Sequence, residues 1–316
     1  MPTCRMIAAR LMSIQEHETM PDVLQNLSEE MAGLTEQIGA SVVRVEARRR
    51  LPASGVLWEK GVIVTSNHVV ERDEDIHVGL PNGSTVSATL IGRDPSSDVA
   101  VLRAEADLPV PHWAEPETIR VGHLVLALGR PSERIMATLG VVSAIEKGDK
   151  LPAGMQIDHF LQTDVVMYPG FSGGALLSAG GRVLGINTSA MRGISLTIPT
   201  STLRRVVETL LAHGKIRRGY LGVGAQAAKL SSSVAQKAGQ DHGLLVVSVE
   251  SESPAEQGGL FMGDVLLTFE DTPLRSPEDL IRALRGDYVG KAAALKIVRG
   301  GEVHTLSVTI GERPAR

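Results

Sequence analysis

The chain has 316 residues, 43% of them apolar, but only two Trp, three Tyr and four Phe. That length suggests two domains at roughly 150 residues each, with largely aliphatic cores, and it excludes a wholly disordered chain. With 32 basic and 36 acidic side chains the net charge is −4, which argues against a nucleic-acid binder. The single cysteine, Cys4, excludes internal disulfides and cysteine-based zinc sites. No apolar run nears the length of a membrane-spanning helix, so no membrane span is expected.

Residues 1–40 read as an N-terminal segment. A secretory leader needs about 7–15 uninterrupted apolar residues after a basic start. Ile7-Ala8-Ala9, between Arg5 and Arg10, is too short, so the expected location is cytoplasmic. A true start at Met12 or Met20 would leave a periplasmic or secreted protein as the alternative. Val23, Leu24, Leu27, Met31, Leu34 and Ile38 fall at helical spacing, which predicts an amphipathic helix packed on whatever follows.

Residues 41–213 change pattern. Short apolar runs recur, among them SVVRVEA, GVLWEKGVIVTS, DVAVLRA, HLVLALG and GALLSAGGRVLGINTS, each closed by turn residues. Pro81-Asn82-Gly83 and Ala179-Gly180-Gly181 mark hairpins. Many short strands predict a mainly β domain, a barrel or a sandwich. A helix follows, capped by Thr200 or Ser201, striped by Leu203, Val206, Val207, Leu210 and Leu211, and ended by His213-Gly214. Lys215 to Gly219 is a short basic connector. The remainder, 214–316, is a smaller α/β module. Its strands are GLLVVSVE, DVLLTFED, AAALKIVRG and VHTLSVTIG, and its last helix is capped by Ser276 with Pro277 at the first position. No internal duplication is visible.

Three polar residues stand out. His68 ends the run VIVTSNHVVE, where the chain leaves a strand and can hold an imidazole facing a cleft. Asp98 opens DVAVLRA beside Val99 and Val101, a setting in which a carboxylate can orient that imidazole. Nearby Asp94 competes for the role. Ser172 lies in Tyr168-Pro169-Gly170-Phe171-Ser172-Gly173-Gly174, where flanking glycines can expose the hydroxyl and aim N–H groups at an oxyanion. The order His, Asp, Ser matches one arrangement of a nucleophilic triad. An α/β-hydrolase elbow would need a helix after the serine and the order Ser, Asp, His; a hairpin follows here instead. His17-Glu18 does not begin a His-Glu-x-x-His zinc motif, because position 21 is proline. No GxxxxGK[ST] loop is found, so neither metal nor nucleotide cofactor is expected.

On these residues the chain resembles the HtrA (Deg) family of serine proteases with a C-terminal PDZ domain. The stretches that carry the resemblance are Ala53-Ser54-Gly55-Val56, V-T-S-N-H-V-V at His68 and D-V-A-V-L at Asp98. Q-T-D-V-V-M-Y-P-G-F-S-G-G-A-L at 162–176, T-I-P at 197–199 and R-G-Y-L-G-V at 218–223 complete the set. The resemblance implies a chymotrypsin-like double β-barrel over 41–213 and a PDZ domain over 214–316. It further implies an ATP-independent endopeptidase acting on unfolded or damaged proteins. His68 would be the general base, Asp98 its orienting carboxylate and Ser172 the nucleophile, with the N–H groups of Gly170 and Ser172 as the oxyanion hole. Asp164 reads as a structural or loop-orienting carboxylate. Where the family has asparagine before the nucleophile, this chain has Phe171, a bulky ring expected to shift the loop or narrow the primed subsites. Phe171 motivates an alternative from another class, a peptide-binding or chaperone-like protein with a weak or inactive protease domain. Val166, Ile186 to Ser189 and Leu196 to Ile198 are candidates for the specificity pocket. None is acidic, so cleavage after small or medium aliphatic residues is expected. In the smaller module Tyr220, Leu221, Gly222 and Val223 resemble a PDZ carboxylate-binding loop, with Leu280, Ile281 and Leu284 on the opposite wall. Lys215, Arg217 and Arg218 would either attract the carboxylate or form a solvated linker. The implied partners are unfolded polypeptides and protein C-termini, and the implied assembly is a homotrimer using the aliphatic 22–38 helix.

Overall fold

The structure is a computed structural model describing residues 20–114, 119–147, 159–189, 194–284 and 288–313. Residues 1–19, including Cys4 and Met12, lie outside the described residues. The chain divides into two compact units, 1–214 and 215–316.

The first unit opens with α1 (Met20–Gly39). Only its C-terminal half packs as the apolar spacing predicts: Ile38 is buried and Leu34 half-buried. Val23, Leu24 and Leu27 remain exposed, because no described element covers that end. Six strands then close a barrel: β1 (Val42–Glu46), β2 (Ala53–Glu59), β3 (Val62–Ser66), β4 (Ile76–Gly79), β5 (Thr85–Asp94) and β6 (Val99–Ala104), in the order β1-β2-β3-β6-β5-β4. Its core is aliphatic, centred on Val43, Val45, Leu57, Ile63, Ile76 and Leu102. The turn at Pro81-Asn82-Gly83 joins β4 to β5, with the Asn82 Oδ1 accepting from the Ser84 N–H at 3.0 Å. An aspartate-like side-chain acceptor at such a position replaces a backbone turn bond.

A second barrel follows from β7 (Leu124–Gly129), β8 (Met136–Lys147), β9 (His159–Thr163), β10 (Ala175–Ser178), β11 (Val183–Thr188) and β12 (Ser195–Pro199). It closes as β10-β11-β12-β9-β8-β7, the same circular order as the first. The sequence carries no trace of this repeat, because the two barrels share connectivity rather than residues. The mainly β, double-barrel fold is thus borne out. The unit ends on α2 (Thr200–His213), closed by Gly214 in the left-handed conformation. Its N-cap is Pro199, not Thr200 or Ser201. The Thr200 hydroxyl donates instead to the carbonyls of Val183 and Leu184, docking the helix onto β11.

The second unit contains β13 (Gly219–Tyr220), β14 (Val223–Lys229), α3 (Ser232–Ala238), β15 (His242–Val249), α4 (Pro254–Gln257), β16 (Val265–Phe269), β17 (Thr272–Pro273), α5 (Pro277–Ala283), β18 (Ala292–Arg299), β19 (Glu302–Thr309) and β20 (Gly311–Glu312). The main sheet runs β14-β15-β16-β18-β19, with β17 paired to β16, so β14 is an edge strand. Leu244, Leu266, Phe269, Leu280, Leu295 and Ile297 form its core. As predicted, α5 is capped by Ser276 with Pro277 leading, and Asp279 completes a capping box. The short helix α3 has no buried residues and therefore no apolar stripe to announce it in the sequence.

Candidate active site

His68 sits on a one-turn 3-10 helix that follows β3. Asp98 immediately precedes β6, the neighbour of β3 in the first barrel. Pairing of β3 with β6 therefore brings residues 30 apart in the chain together. The His68 Nδ1 lies 3.0 and 2.9 Å from the two Asp98 carboxylate oxygens. The His68 backbone N–H also donates to Asp98 Oδ1 at 2.9 Å. Asp98 adopts φ 54°, a left-handed conformation that aspartate tolerates better than most residues. The Asn67 N–H bonds its carbonyl at 2.9 Å, and the Thr188 hydroxyl donates to its Oδ2 at 2.6 Å. The carboxylate is buried and both its oxygens are hydrogen-bonded, as a buried polar group requires. Asp94 does not compete. Its carboxylate is taken up by the hydroxyls and N–H groups of Ser96 and Ser97, which shape the turn before Asp98.

Ser172 enters from the second barrel, on the loop before β10, and is buried. The loop is fastened to the first barrel through Ser54. The Ser54 N–H donates to the Ser172 carbonyl at 3.1 Å, and its hydroxyl donates to the Gly170 carbonyl at 2.7 Å. The same hydroxyl accepts from the Arg130 N–H at 2.7 Å. The Arg130 guanidinium, its pKa lowered by burial, donates to the carbonyls of Val42, Gly39 and Glu133. Two glycines in the loop are sterically required. Gly170 has φ +91°, and a Cβ on Gly173 would lie 2.1 Å from the Ser54 carbonyl oxygen. Among the described residues, the N–H groups of Gly170 and Ser172 donate to no protein acceptor, as an anion-receiving pair must.

Phe171 departs from its expected effect. Its side chain is fully buried in the second barrel's core among Val125, Ala127, Leu161, Val165 and Leu176. Gly129 makes the room, since a Cβ there would meet the ring at 2.6 Å. The ring therefore turns away from the cleft and cannot narrow the primed side. Asp164 Oδ1 accepts from the Val141 N–H at 2.6 Å, which ties its loop to β8. The specificity-pocket candidates fare unevenly. Ile186, Asn187, Thr188, Leu196, Thr197 and Ile198 are all buried, and only Val166 and Ser189 are exposed. Side-chain bonds hold two of the buried residues in place: Asn187 Nδ2 donates to the Ala175 carbonyl at 2.8 Å and the Thr188 hydroxyl to Asp98 at 2.6 Å. Sequence reasoning missed the roles of Ser54 and Thr188, which have no motif signature beyond being small hydroxyl residues near matched stretches.

In the second unit, Tyr220 ends β13 and Val223 begins β14. The Leu221 carbonyl accepts from the Ala255 N–H and the Gly222 carbonyl from the Glu250 N–H, each at 2.8 Å. Among the described residues the Leu221 and Gly222 N–H groups donate to no protein acceptor. Gly222 has φ +82°, and a Cβ there would lie 2.3 Å from that of Ser253. The Tyr220 hydroxyl donates to Glu250 at 2.5 Å, a bond that raises its pKa. Leu280 of α5 is buried, Ile281 exposed and Leu284 half-buried. Lys215 and Arg217 pair with Glu312 of β20 at the exposed surface of the second unit.

Two six-stranded barrels with an Asp–His pair on one and a glycine-flanked serine on the other define the chymotrypsin-like class of serine hydrolases. Comparison with known proteins agrees. The family model for a trypsin-like peptidase domain matches residues 53–186, and that for a PDZ domain matches 219–310. The serine endoprotease from Yersinia pestis has 31% identity and a TM-score of 0.75, over 90% of this chain and 98% of that one. HtrA-type protease AlgW, solved with a decapeptide, gives 28% identity and a TM-score of 0.77 over 90% and 99% of the two chains. A probable periplasmic serine endoprotease DegP-like from Pseudomonas fulva (strain 12-X) is 36% identical over 314 residues, 96% of this chain and 64% of that one. The chain belongs to the HtrA (DegP-like) family of serine endoproteases. It spans less than two thirds of the length of the curated relatives it matches. The names of those relatives correct one expectation: they are periplasmic, which overturns the cytoplasmic location inferred from the short apolar run at Ile7-Ala8-Ala9.

Proposed function

We propose that this chain is an ATP-independent serine endopeptidase acting on unfolded or damaged polypeptides. Its protease domain spans 41–213, and a PDZ domain over 214–316 recognises C-termini. The observation that carries the reading is the buried Asp98 carboxylate, fixed to His68 Nδ1 at 2.9 Å and to the Thr188 hydroxyl at 2.6 Å. A carboxylate bonded to Nδ1 selects the tautomer whose Nε2 accepts a proton and stabilises the imidazolium that results. Ser172 attacks the scissile carbonyl as its proton passes to His68 Nε2. The carbonyl electron pair moves to oxygen, where the Gly170 and Ser172 N–H groups receive it. His68 then returns the proton to the leaving amine, and water hydrolyses the acyl-enzyme by the same route.

The Tyr220-Leu221-Gly222-Val223 loop holds a substrate's terminal carboxylate on its free N–H groups, and the β14 edge adds the peptide as a further strand. The Val166 side chain, exposed and apolar, supports cleavage after small or medium aliphatic residues. The exposed aliphatic end of α1 supports homotrimeric assembly. The non-catalytic alternative loses its motive with Phe171 enclosed in the core.

Fluorophosphonate labelling followed by peptide mapping tests the proposal. The expected adduct is on Ser172, and Ser172→Ala should abolish both labelling and casein cleavage. Equal casein turnover by wild type and Ser172→Ala would leave only a binding function.

A further inference from the structure

Among the described residues, the Ser172 hydroxyl has two hydrogen-bond partners, and both belong to Ser189. Ser189 Oγ lies 2.9 Å from Ser172 Oγ, and the Ser189 N–H donates to it at 3.3 Å. Among the described residues the His68 ring bonds only Asp98. The base is therefore fully aligned while the nucleophile is directed elsewhere.

We propose that Ser189 is a positioning residue that latches the nucleophile in a resting orientation, released when substrate occupies the end of β11. The inference rests on the endopeptidase reading above. In the latched orientation the Ser172 O–H donates to Ser189 Oγ while its oxygen accepts the Ser189 N–H, so the hydrogen that His68 must take points away from it. Ser189 is well placed for this task. It directly follows Thr188, whose hydroxyl holds Asp98, so the same strand end fixes the carboxylate and restrains the serine. Ser189 is exposed while Ser172 is buried. A peptide backbone laid along the strand end meets Ser189 first, and its carbonyl and N–H groups replace Ser172 as partners. Ser172 then rotates, and its O–H donates to His68 Nε2. No covalent step belongs to the latch; it sets only how often the hydroxyl is in line.

The test compares fluorophosphonate labelling rates of wild type, Ser189→Ala, Ser189→Thr and Ser172→Ala. Fluorophosphonate reads the reactivity of Ser172 with little demand on peptide subsites. Loss of one neutral hydrogen bond that holds the resting orientation should speed labelling about five-fold in Ser189→Ala. Ser189→Thr, which keeps the hydroxyl, should return to the wild-type rate. Both variants should melt with wild type, since Ser189 is exposed. Labelling of Ser189→Ala at or below the wild-type rate overturns the latch and leaves the endopeptidase reading standing. So does a Ser189→Thr rate equal to that of Ser189→Ala, because the hydroxyl would then not be the agent. Absence of any Ser172-dependent labelling in wild type and Ser189→Ala overturns the endopeptidase reading and the latch with it.

Discussion

At Phe171 a single side chain sets the character of the nucleophile loop. The residue next to Ser172 points into the second barrel, so it must either find polar partners there or be apolar. Val125, Ala127, Leu161, Val165 and Leu176 offer only apolar surface, and Gly129 leaves space for the ring. Phe171 thus anchors the loop by packing, while Tyr168 meets its edge at 5.7 Å between ring centroids. Phe171→Ala should cost about 3–5 kcal/mol of stability, the usual range for emptying a buried aromatic site. Chemical denaturation of wild type and variant measures it, and a loss under 1 kcal/mol would contradict the packing described. The nature of the residue was readable in the sequence, but its direction was not. An apolar ring beside a catalytic serine looks like an obstruction until the glycine 42 positions earlier in the chain is seen to receive it. His68 and Asp98 were legible because each sits in a local motif. Thr188 and Ser189 were not, since their partners lie 90 and 17 residues away and a hydroxyl carries no pattern of its own.

At the level of elements, the second unit is held by a clasp between the start of β16 and the end of β18. Arg299 donates to both oxygens of Asp264, at 2.8 and 2.7 Å, and to the Gly259 carbonyl at 2.7 Å. Its guanidinium stacks 4.5 Å from the Phe261 ring centre, and the Phe261 N–H donates to Asp264 at 2.9 Å. Burial favours the protonated carboxyl. The bonds from Arg299 and Phe261 outweigh it and hold the Asp264 pKa below its ordinary value. A carboxylate whose pKa is depressed on folding contributes stability above its unfolded value, about 3.9. That contribution fades as pH falls through the lower folded value. Asp264→Ala should therefore destabilise the second unit by about 3 kcal/mol at neutral pH, with the gap to wild type narrowing below about pH 4. Urea titrations at neutral and acid pH check this, and a pH-independent gap would refute it. The strands of this clasp were visible as apolar runs, whereas the pairing of Asp264 with Arg299 follows only from the β16–β18 register.

On the scale of the whole molecule, the two units have separate cores. Residues 215–316 expressed alone should fold, with a sigmoidal urea transition and a dispersed amide NMR spectrum; a collapsed spectrum would show that the module depends on its neighbour. The repeated strand order of the two barrels was hidden from the sequence, since barrel closure depends on pairings between distant strands and not on shared residues. That architecture has an implication for how the chemistry is governed. Imidazole and hydroxyl ride on different β cylinders, joined by the Ser54 and Arg130 bonds to Gly170, Ser172, Val42 and Gly39. Reactivity is then a measure of alignment between the two barrels. Loosening that seam would detune turnover while each cylinder, taken alone, kept its shape.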